Sequence, residues 1–241
     1  SEMCIRDSIS NWDVSNVTDM NHMFKDAFIF NQDLSSWDVS SVTNMDHMLQ
    51  GARQFNQDIS NWDVSLVTNM NQLFKDGFEF NQDISSWDVS SVLNMAAMFK
   101  NATSFDQNLS NWNVSNVTNM RDMFADAANF NQDIGDWDVS SVTNMYGMFS
   151  FTDNFNQDIG DWDVSSVTTM EKMFQSADNF NQDISGWDVS NVNNMGNMFH
   201  RAYNFNQEYL DLEFSNVKFE NAKWLPGVDT VNYQNNGSVM L

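Results

Sequence analysis

Cysteine, proline, positive charge and long apolar runs are all scarce in this 241-residue chain. The one cysteine, Cys4, sits in a stretch unlike the rest: Met3-Cys4-Ile5-Arg6-Asp7-Ser8 resembles the translation of a transposon-end adapter used in preparing sequencing libraries. Residues 1–8 are therefore expected to be foreign, with the protein's own sequence continuing upstream. The remainder has no cysteine, which excludes disulfides, thiolate metal sites and cysteine nucleophiles but leaves the redox compartment open. Only 10 Lys and Arg stand against 33 Asp and Glu, a formal net charge of −23. Nucleic acid and anionic membrane surfaces are disfavoured partners on that ground, whereas cations, basic proteins and neutral glycans remain open. No apolar run reaches the roughly 18 residues of a membrane-spanning helix, and no charged-then-apolar leader precedes the repeats. The only proline, Pro226, lies in the C-terminal tail.

What is present is a repeat. Tryptophans recur at one constant interval, at Trp12, Trp37, Trp62, Trp87, Trp112, Trp137, Trp162 and Trp187, within the string Phe-Asn-Gln-Asp-Leu-Ser-Ser-Trp-Asp-Val that begins at Phe30. A single unit buries too few apolar side chains to offset the entropy of ordering its own backbone, so stability has to come from unit-to-unit interfaces and the ends need covers. Residues 9–205 read as an eight-unit array. Residues 206–241, where Trp gives way to Leu212 and Val to Phe214, read as a degenerate ninth coil with a cap and tail.

Within one unit, Leu34-x-x-Trp37-x-Val39 matches the L-x-x-L-x-L core of a leucine-rich repeat. Trp37 and Val39 alternate with Ser36, Asp38 and Ser40, which predicts a short strand. Val42, Met45, Met48, Leu49 and Ala52 then follow a spacing of three and four, which predicts a short helix with Thr43 or Asn44 as its cap. The expected fold is an α/β solenoid: a leucine-rich-repeat-like right-handed coil that closes once per 25-residue unit, with a parallel sheet of short strands on one face and short helices on the other. The methionine columns that begin at Met20 and Met23 are read as core filler.

The string F-N-Q-D-I-S-x-W-D-V-S-x-V-T-N-M-x-x-M-F, clearest at residues 80–99 and 130–149, resembles the BspA-type leucine-rich-repeat family, which includes a repeat of unknown function abundant in mycoplasma lipoproteins. The resemblance implies a cell-surface or extracellular repeat protein with an adhesive or binding role toward an extracellular protein or glycan. It supplies no catalytic residues.

Two acidic columns are the array's most unusual chemistry. One follows the tryptophan: Asp13, Asp38, Asp63, Asp88, Asn113, Asp138, Asp163 and Asp188. The other occupies the Asn-Gln-Asp turn: Asp33, Asp58, Asp83, Asn108, Asp133, Asp158, Asp183 and Glu208. Carboxylates about 4.8 Å apart repel by about 0.9 kcal/mol in water and about 3.5 kcal/mol at an effective dielectric near 20. Such a ladder has to be hydrated, neutralised by cations or partly protonated. The aspartates of the first column are accordingly the candidate ligands for Ca²⁺, the one cofactor considered, against the alternative of a solvated face. For the second column, hydrogen bonds to turn amides are expected, and for the asparagines from Asn31 to Asn206, hydrogen bonds between coils.

Of the histidines, His22 and His47 share an offset in adjacent units and should stack on the outer helix face, where they could share a metal. The same column then changes to Gln72, Ala97, Asp122, Gly147, Lys172 and Asn197, as an exposed position does. No serine is paired with a histidine base, and no phosphate-cradling loop or isolated acid pair stands out, so an enzyme is not expected. Unit-to-unit variation concentrates at the exterior of the expected helix and in the turn that follows it, where Phe28, Phe78 and Tyr203 are the candidate partner patch, against the alternatives for Phe28 and Phe78 of recent duplication or a simple cover for the turn. The functional expectation is a non-catalytic binding or adhesion module with a long acidic surface, Ca²⁺ being its candidate assistant; the alternative is a passive stalk or spacer.

Overall fold

The computed structural model describes residues 8–206; the adapter-like segment before Ser8, the acid Glu208 and the degenerate ninth coil lie outside the described residues. The described chain is a stack of coils, one per repeat unit, but it is not the expected α/β solenoid. None of the described residues is helical, and no strand pairs with another over more than a single residue. Coil-to-coil pairing of the strand type is confined to one residue per coil, in the parallel bridges Asp19↔Asn44, Asn44↔Asn69 and onward to Thr169↔Asn194. Both the sheet and the layer of helices read from the sequence are therefore corrected, and with them the leucine-rich-repeat likeness in architecture.

The stretch expected to be a helix shows why. In the second coil, the N–H groups of Met45, His47, Leu49 and Gly51 donate to carbonyls of the next coil: Asn69, Asn71, Leu73 and Lys75. Those of Met48, Gln50 and Ala52 close turns three residues back, on Met45, His47 and Leu49. Asp46 N–H is taken by the Asn44 side chain. Donors thus alternate between the neighbouring coil and the local turn, so the helical ladder of bonds four residues back cannot form. The alternation requires two left-handed residues per coil, at the offsets of His47 (φ 58) and Gly51 (φ 71). Only Gly51 and Gly147 are glycines there; the other positions, Ala97 and Phe151 among them, hold side chains at about 1–2 kcal/mol each against the conformation. Gly51 has a second reason to be glycine, since a Cβ there would meet Asp26 Oδ1 at 2.6 Å.

The Trp-Asp-Val segment is likewise not a strand. It lies between two tight turns, closed by Trp37 N–H on the Leu34 carbonyl and Val42 N–H on the Val39 carbonyl. Trp37 and Val39 still point inward and Asp38 outward, so the alternation was read correctly and its backbone was not.

The interior is built of columns. Tryptophan, both valines, both methionines and the aliphatic residue are almost fully buried from the second coil onward. Phe80, Phe105, Phe130, Phe155 and Phe180 form a ladder with ring centroids 5.9–6.1 Å apart and nearly parallel planes. A second ladder, Phe74, Phe99, Phe124, Phe149 and Phe174, lies against it, each of its rings 3.9–4.0 Å from a partner such as Phe80 or Phe105 in the same coil. The buried indole N–H finds a fixed acceptor: Trp112 donates to the Ile84 carbonyl at 3.1 Å, and Trp37 through Trp187 repeat the bond at 3.0–3.1 Å. Ile84 O also accepts the Trp87 backbone N–H, so one carbonyl closes a turn in its own coil and anchors the indole of the next.

The asparagine column acts as the sequence suggested. Asn131 Oδ1 accepts Asn156 N–H at 2.9 Å and Gln157 Nε2 at 2.9 Å, both in the following coil. Asp106 substitutes for asparagine without loss, accepting Asn131 N–H at 3.0 Å and Gln132 Nε2 at 2.8 Å. Removing the acceptor should cost about 1–3 kcal/mol, since the Asn156 N–H loses its partner while Gln157 Nε2 keeps only its bond to the Asn131 main-chain carbonyl, at 2.9 Å. Asn131→Ala is therefore expected to lower the urea unfolding midpoint clearly, while Asn131→Asp leaves it close to that of the parent; equal midpoints for parent and Asn131→Ala would show that the column bears no load. Trp112→Phe, which keeps a ring beside Phe99 but deletes the donor and leaves a cavity, should cost more than the about 0.5–1.5 kcal/mol of the hydrogen bond alone in the same measurement.

Candidate functional surfaces

Three short hydrogen-bonded corners per coil place the polar columns. At these corners an Asp or Asn accepts a backbone N–H two residues on, the Asx turn these side chains favour, with the Thr169 hydroxyl taking that place in one coil. Asp33 Oδ1 accepts Ser35 N–H at 2.8 Å, Asp38 Oδ1 accepts Ser40 N–H at 3.1 Å and Ser40 Oγ at 2.6 Å, and Asn44 Oδ1 accepts Asp46 N–H at 3.1 Å. The last is the capping bond read from the sequence, but it opens a series of turns instead of a helix.

The column after the tryptophan, Asp13, Asp38, Asp63, Asp88, Asp138, Asp163 and Asp188, is exposed along its whole length. Asp63 and Asp138 each hold the serine two residues on through both its N–H and its hydroxyl, as Asp38 does. Serine hydrogen bonds hold the carboxyls of Asp13, Asp38, Asp88, Asp163 and Asp188 below the ordinary carboxylate range. The neighbouring charge acts the other way at Asp38 and Asp188 and is outweighed. The turn column behaves alike: amide and hydroxyl bonds from Ser35, Ser60 and Ser185 lower Asp33, Asp58 and Asp183. Both columns are thus solvated and locally bonded, and at the aspartates whose carboxyls are lowered the bonds favour the ionised form. Asn113 and Asn108, the two interruptions, make the same turn bonds, to Ser115 N–H at 3.2 Å and Ser110 N–H at 2.9 Å.

The candidate partner residues divide. Phe28 and Phe78 lie two coils apart, and Arg53 from the coil between them inserts its guanidinium, 4.6 Å from the Phe28 ring centre and 5.5 Å from that of Phe78. The three share one column, a relation visible in the sequence only when Arg53 is read at the same offset within its unit as the phenylalanines. Tyr203, 64% exposed, belongs to that column five coils further along and does not join them.

Two features escaped sequence reasoning. One is an open groove of about 680 Å³ lined by Asp106, Asn129, Asn131, Asn154, Asn156 and Asn179 with their neighbours, a row of carboxamides beside the ladder. The other is a pocket lined by three cations, Lys100, Arg121 and Lys172, together with Tyr146 and Asp122. Arg121 lies 4.5 Å from the Tyr146 ring centre, Lys172 donates to Tyr146 Oη at 2.9 Å, and Lys100 pairs with Asp122 at 3.5 Å. Arg121 and Tyr146 sit at the same offset in adjacent units, which is the signal that could have found them. Nearby, burial pushes the Asp126 carboxyl upward, with Lys100 opposing and Asp122, Asp153 and Asp76 adding to the rise.

A repeat protein built as a stack of turn-rich coils is what these observations define. The chain belongs to the family described as Mycoplasma protein of unknown function, DUF285, which matches residues 3–77, 55–150 and 129–234. No curated protein and no solved structure matches it. Among the described residues, no helix is long and apolar enough to cross a membrane.

The raised carboxyl of Asp126 carries a prediction. A carboxyl whose folded-state value lies above its unfolded value weakens the fold when ionised and ceases to do so once protonated. Asp126→Asn should therefore raise the melting temperature at pH 7, and the gain should vanish as pH falls through the carboxylate range. Asn101 already occupies this left-handed offset, so the backbone accepts the change. A gain that persists unchanged at pH 3 would mean that charge is not its cause.

Proposed function

We propose that this chain is a non-catalytic binding module, displayed at a cell surface or in the extracellular space, that holds a cation-bearing partner through its long acidic surface. One observation carries the reading: the fold needs an acceptor oxygen at each acidic position, not a charge. Asn108 and Asn113 make the same Asx turns as the aspartates of their columns. An acidic residue is nonetheless kept at the other described positions of both columns, and at Asp38, Asp163, Asp188 and Asp183 among them the turn bonds favour the ionised form over the protonated one. A rigid ladder of solvated carboxylates suits a basic protein surface, and Ca²⁺ is the ion that such oxygen ligands would recruit to assist. The BspA-type resemblance supports surface display and adhesion.

A second reading is favoured by the carboxamide groove. Asparagine side chains offer both donors and acceptors, and a row of them in an open channel suits the hydroxyls of a neutral glycan.

Charge-matched variants separate a specific acidic face from mere net charge. Asp138→Asn, Asp163→Asn and Asp188→Asn combined should weaken binding to immobilised oligolysine about tenfold at moderate salt and lower the melting temperature only slightly, since the amide keeps the turn bond and loses the charge that the serine bonds favour. Asp26→Asn, Asp153→Asn and Asp178→Asn combined remove the same charge elsewhere and should change binding about twofold at most. Equal losses from the two sets would favour the passive spacer. A rise in melting temperature with millimolar Ca²⁺, lost in the first set alone, would assign the ion to the column after the tryptophan.

A further inference from the structure

His22, Asp46 and His47 come together where the first two coils meet, away from both acidic columns. The imidazoles of His22 and His47 stack with centroids 4.5 Å apart and planes 9° from parallel. Their backbones are both left-handed, with φ 58, and both are tied to the next coil. His22 N–H donates to the Asp46 carbonyl at 2.9 Å and His47 N–H to the Asn71 carbonyl at 2.8 Å. The roots of the two rings are therefore fixed relative to each other and to Asp46.

The carboxylate completes the group. Asp46 Oδ1 lies 2.7 Å from His47 Nδ1 and accepts Asn71 Nδ2 at 2.7 Å. One ligand atom from each of the three residues lies within 4.8 Å of the other two, and among the described residues this is the one such group of three or more His, Cys, Asp or Glu side chains. His47 Nδ1 is buried yet makes no hydrogen bond, because its approach to Asp46 is misaligned for one. A buried imidazole nitrogen and a carboxylate oxygen held 2.7 Å apart, in a close polar contact without hydrogen-bond geometry, face the same point as two ligands of one ion would. Two donors at about 2.0–2.1 Å from a tetrahedral zinc ion lie about 3.3–3.4 Å apart, so the His47–Asp46 contact has to open by less than about 1 Å, and the two parallel rings, whose lone pairs lie in their own planes, have to turn toward each other for both to reach the ion.

We propose that His22, Asp46 and His47 form a site for a divalent transition-metal ion, Zn²⁺ foremost, that clamps the first coil to the second. Two imidazoles and one carboxylate form a borderline nitrogen and oxygen set, suited to Zn²⁺ and poorly matched to Ca²⁺ or Mg²⁺, which take oxygen ligands. Asn71 holds the carboxylate from outside, the support that metal-ligating carboxylates commonly have. A fourth position faces solvent on the side of the exposed His22. The site stands independently of the acidic columns.

The test uses the full chain carrying Cys4→Ser, so that no thiol competes. Calorimetric titration with Zn²⁺ should show one site per chain, and millimolar Ca²⁺ should not displace the ion. His22→Gln and His47→Gln should each weaken Zn²⁺ binding by about tenfold or more. Gln72 occupies the same offset with the same left-handed backbone, so these variants keep the local fold. Added Co²⁺ should give tetrahedral absorption bands in the parent that the double variant lacks, and Zn²⁺ should raise the melting temperature of the parent alone. Asp46→Asn, which retains an acceptor for Asn71, provides an independent arm should a histidine variant fail to fold. Unchanged affinity in the variants would move the ion to His200 or the acidic columns, and no saturable binding by the parent would remove the site; either result overturns the proposal.

Discussion

The indole N–H of each buried tryptophan donates to a carbonyl in the coil before it, and the remaining contacts of the array are arranged around that bond. Trp62 through Trp187 insert a large ring between coils while meeting the one polar demand that the ring makes. The accepting carbonyl belongs to the aliphatic residue that closes the turn ahead of the tryptophan in its own coil. That turn, the indole position and the spacing of the phenylalanine ladders are therefore set together. A coil that slipped by one residue would lose all three, which is why the repeat length stays constant throughout the described stack.

Around this interior the backbone is satisfied largely without helix or sheet. In the turn-rich segment some N–H groups go to the next coil and the rest close local turns, while Asp and Asn side chains cap the corners. The asparagine ladder adds a side-chain acceptor for a backbone donor and a glutamine in the following coil. Dependence on side-chain acceptors explains why acidic and amide residues are so numerous, and it separates two roles that the sequence fuses. Asn108, Asn113 and Asp106 each show that amide and carboxylate are exchangeable in the structural role, so the net charge is a property of the surface and not a requirement of the fold.

Much of the core was legible in one sequence. The inward positions from Leu34 to Phe55, the methionine columns and the asparagine ladder were all read from recurrence alone, because a residue repeated at a fixed interval must meet itself in the next coil. The expected strand and helices were not found. Val42, Met45, Met48, Leu49 and Ala52 have helical spacing, yet a run of three-residue turns with left-handed residues between them also brings every third or fourth side chain inward. Periodicity reports which side faces the core and not which hydrogen bonds make the turn. The left-handed offsets carried a partial signal, since Asp26, Gly51, Asp76, Asn101 and Asp126 are residues that tolerate such a conformation, while Gln72, Ala97 and Phe151 at the same offsets are not.

Sequence by itself determined the repeat length, the buried columns, membership of a Mycoplasma repeat family of unknown function and the acidic surface, because each is a matter of which residue recurs at which interval. Tertiary structure decided the rest. Where each backbone N–H is spent depends on the neighbouring coil, a full repeat away along the chain, and no local window contains that neighbour. The same separation joins Arg53 to Phe28 and Phe78, Tyr146 to Arg121, and His22 to Asp46 and His47. These groupings arise from the stacking geometry, which converts separation along the chain into contact across it.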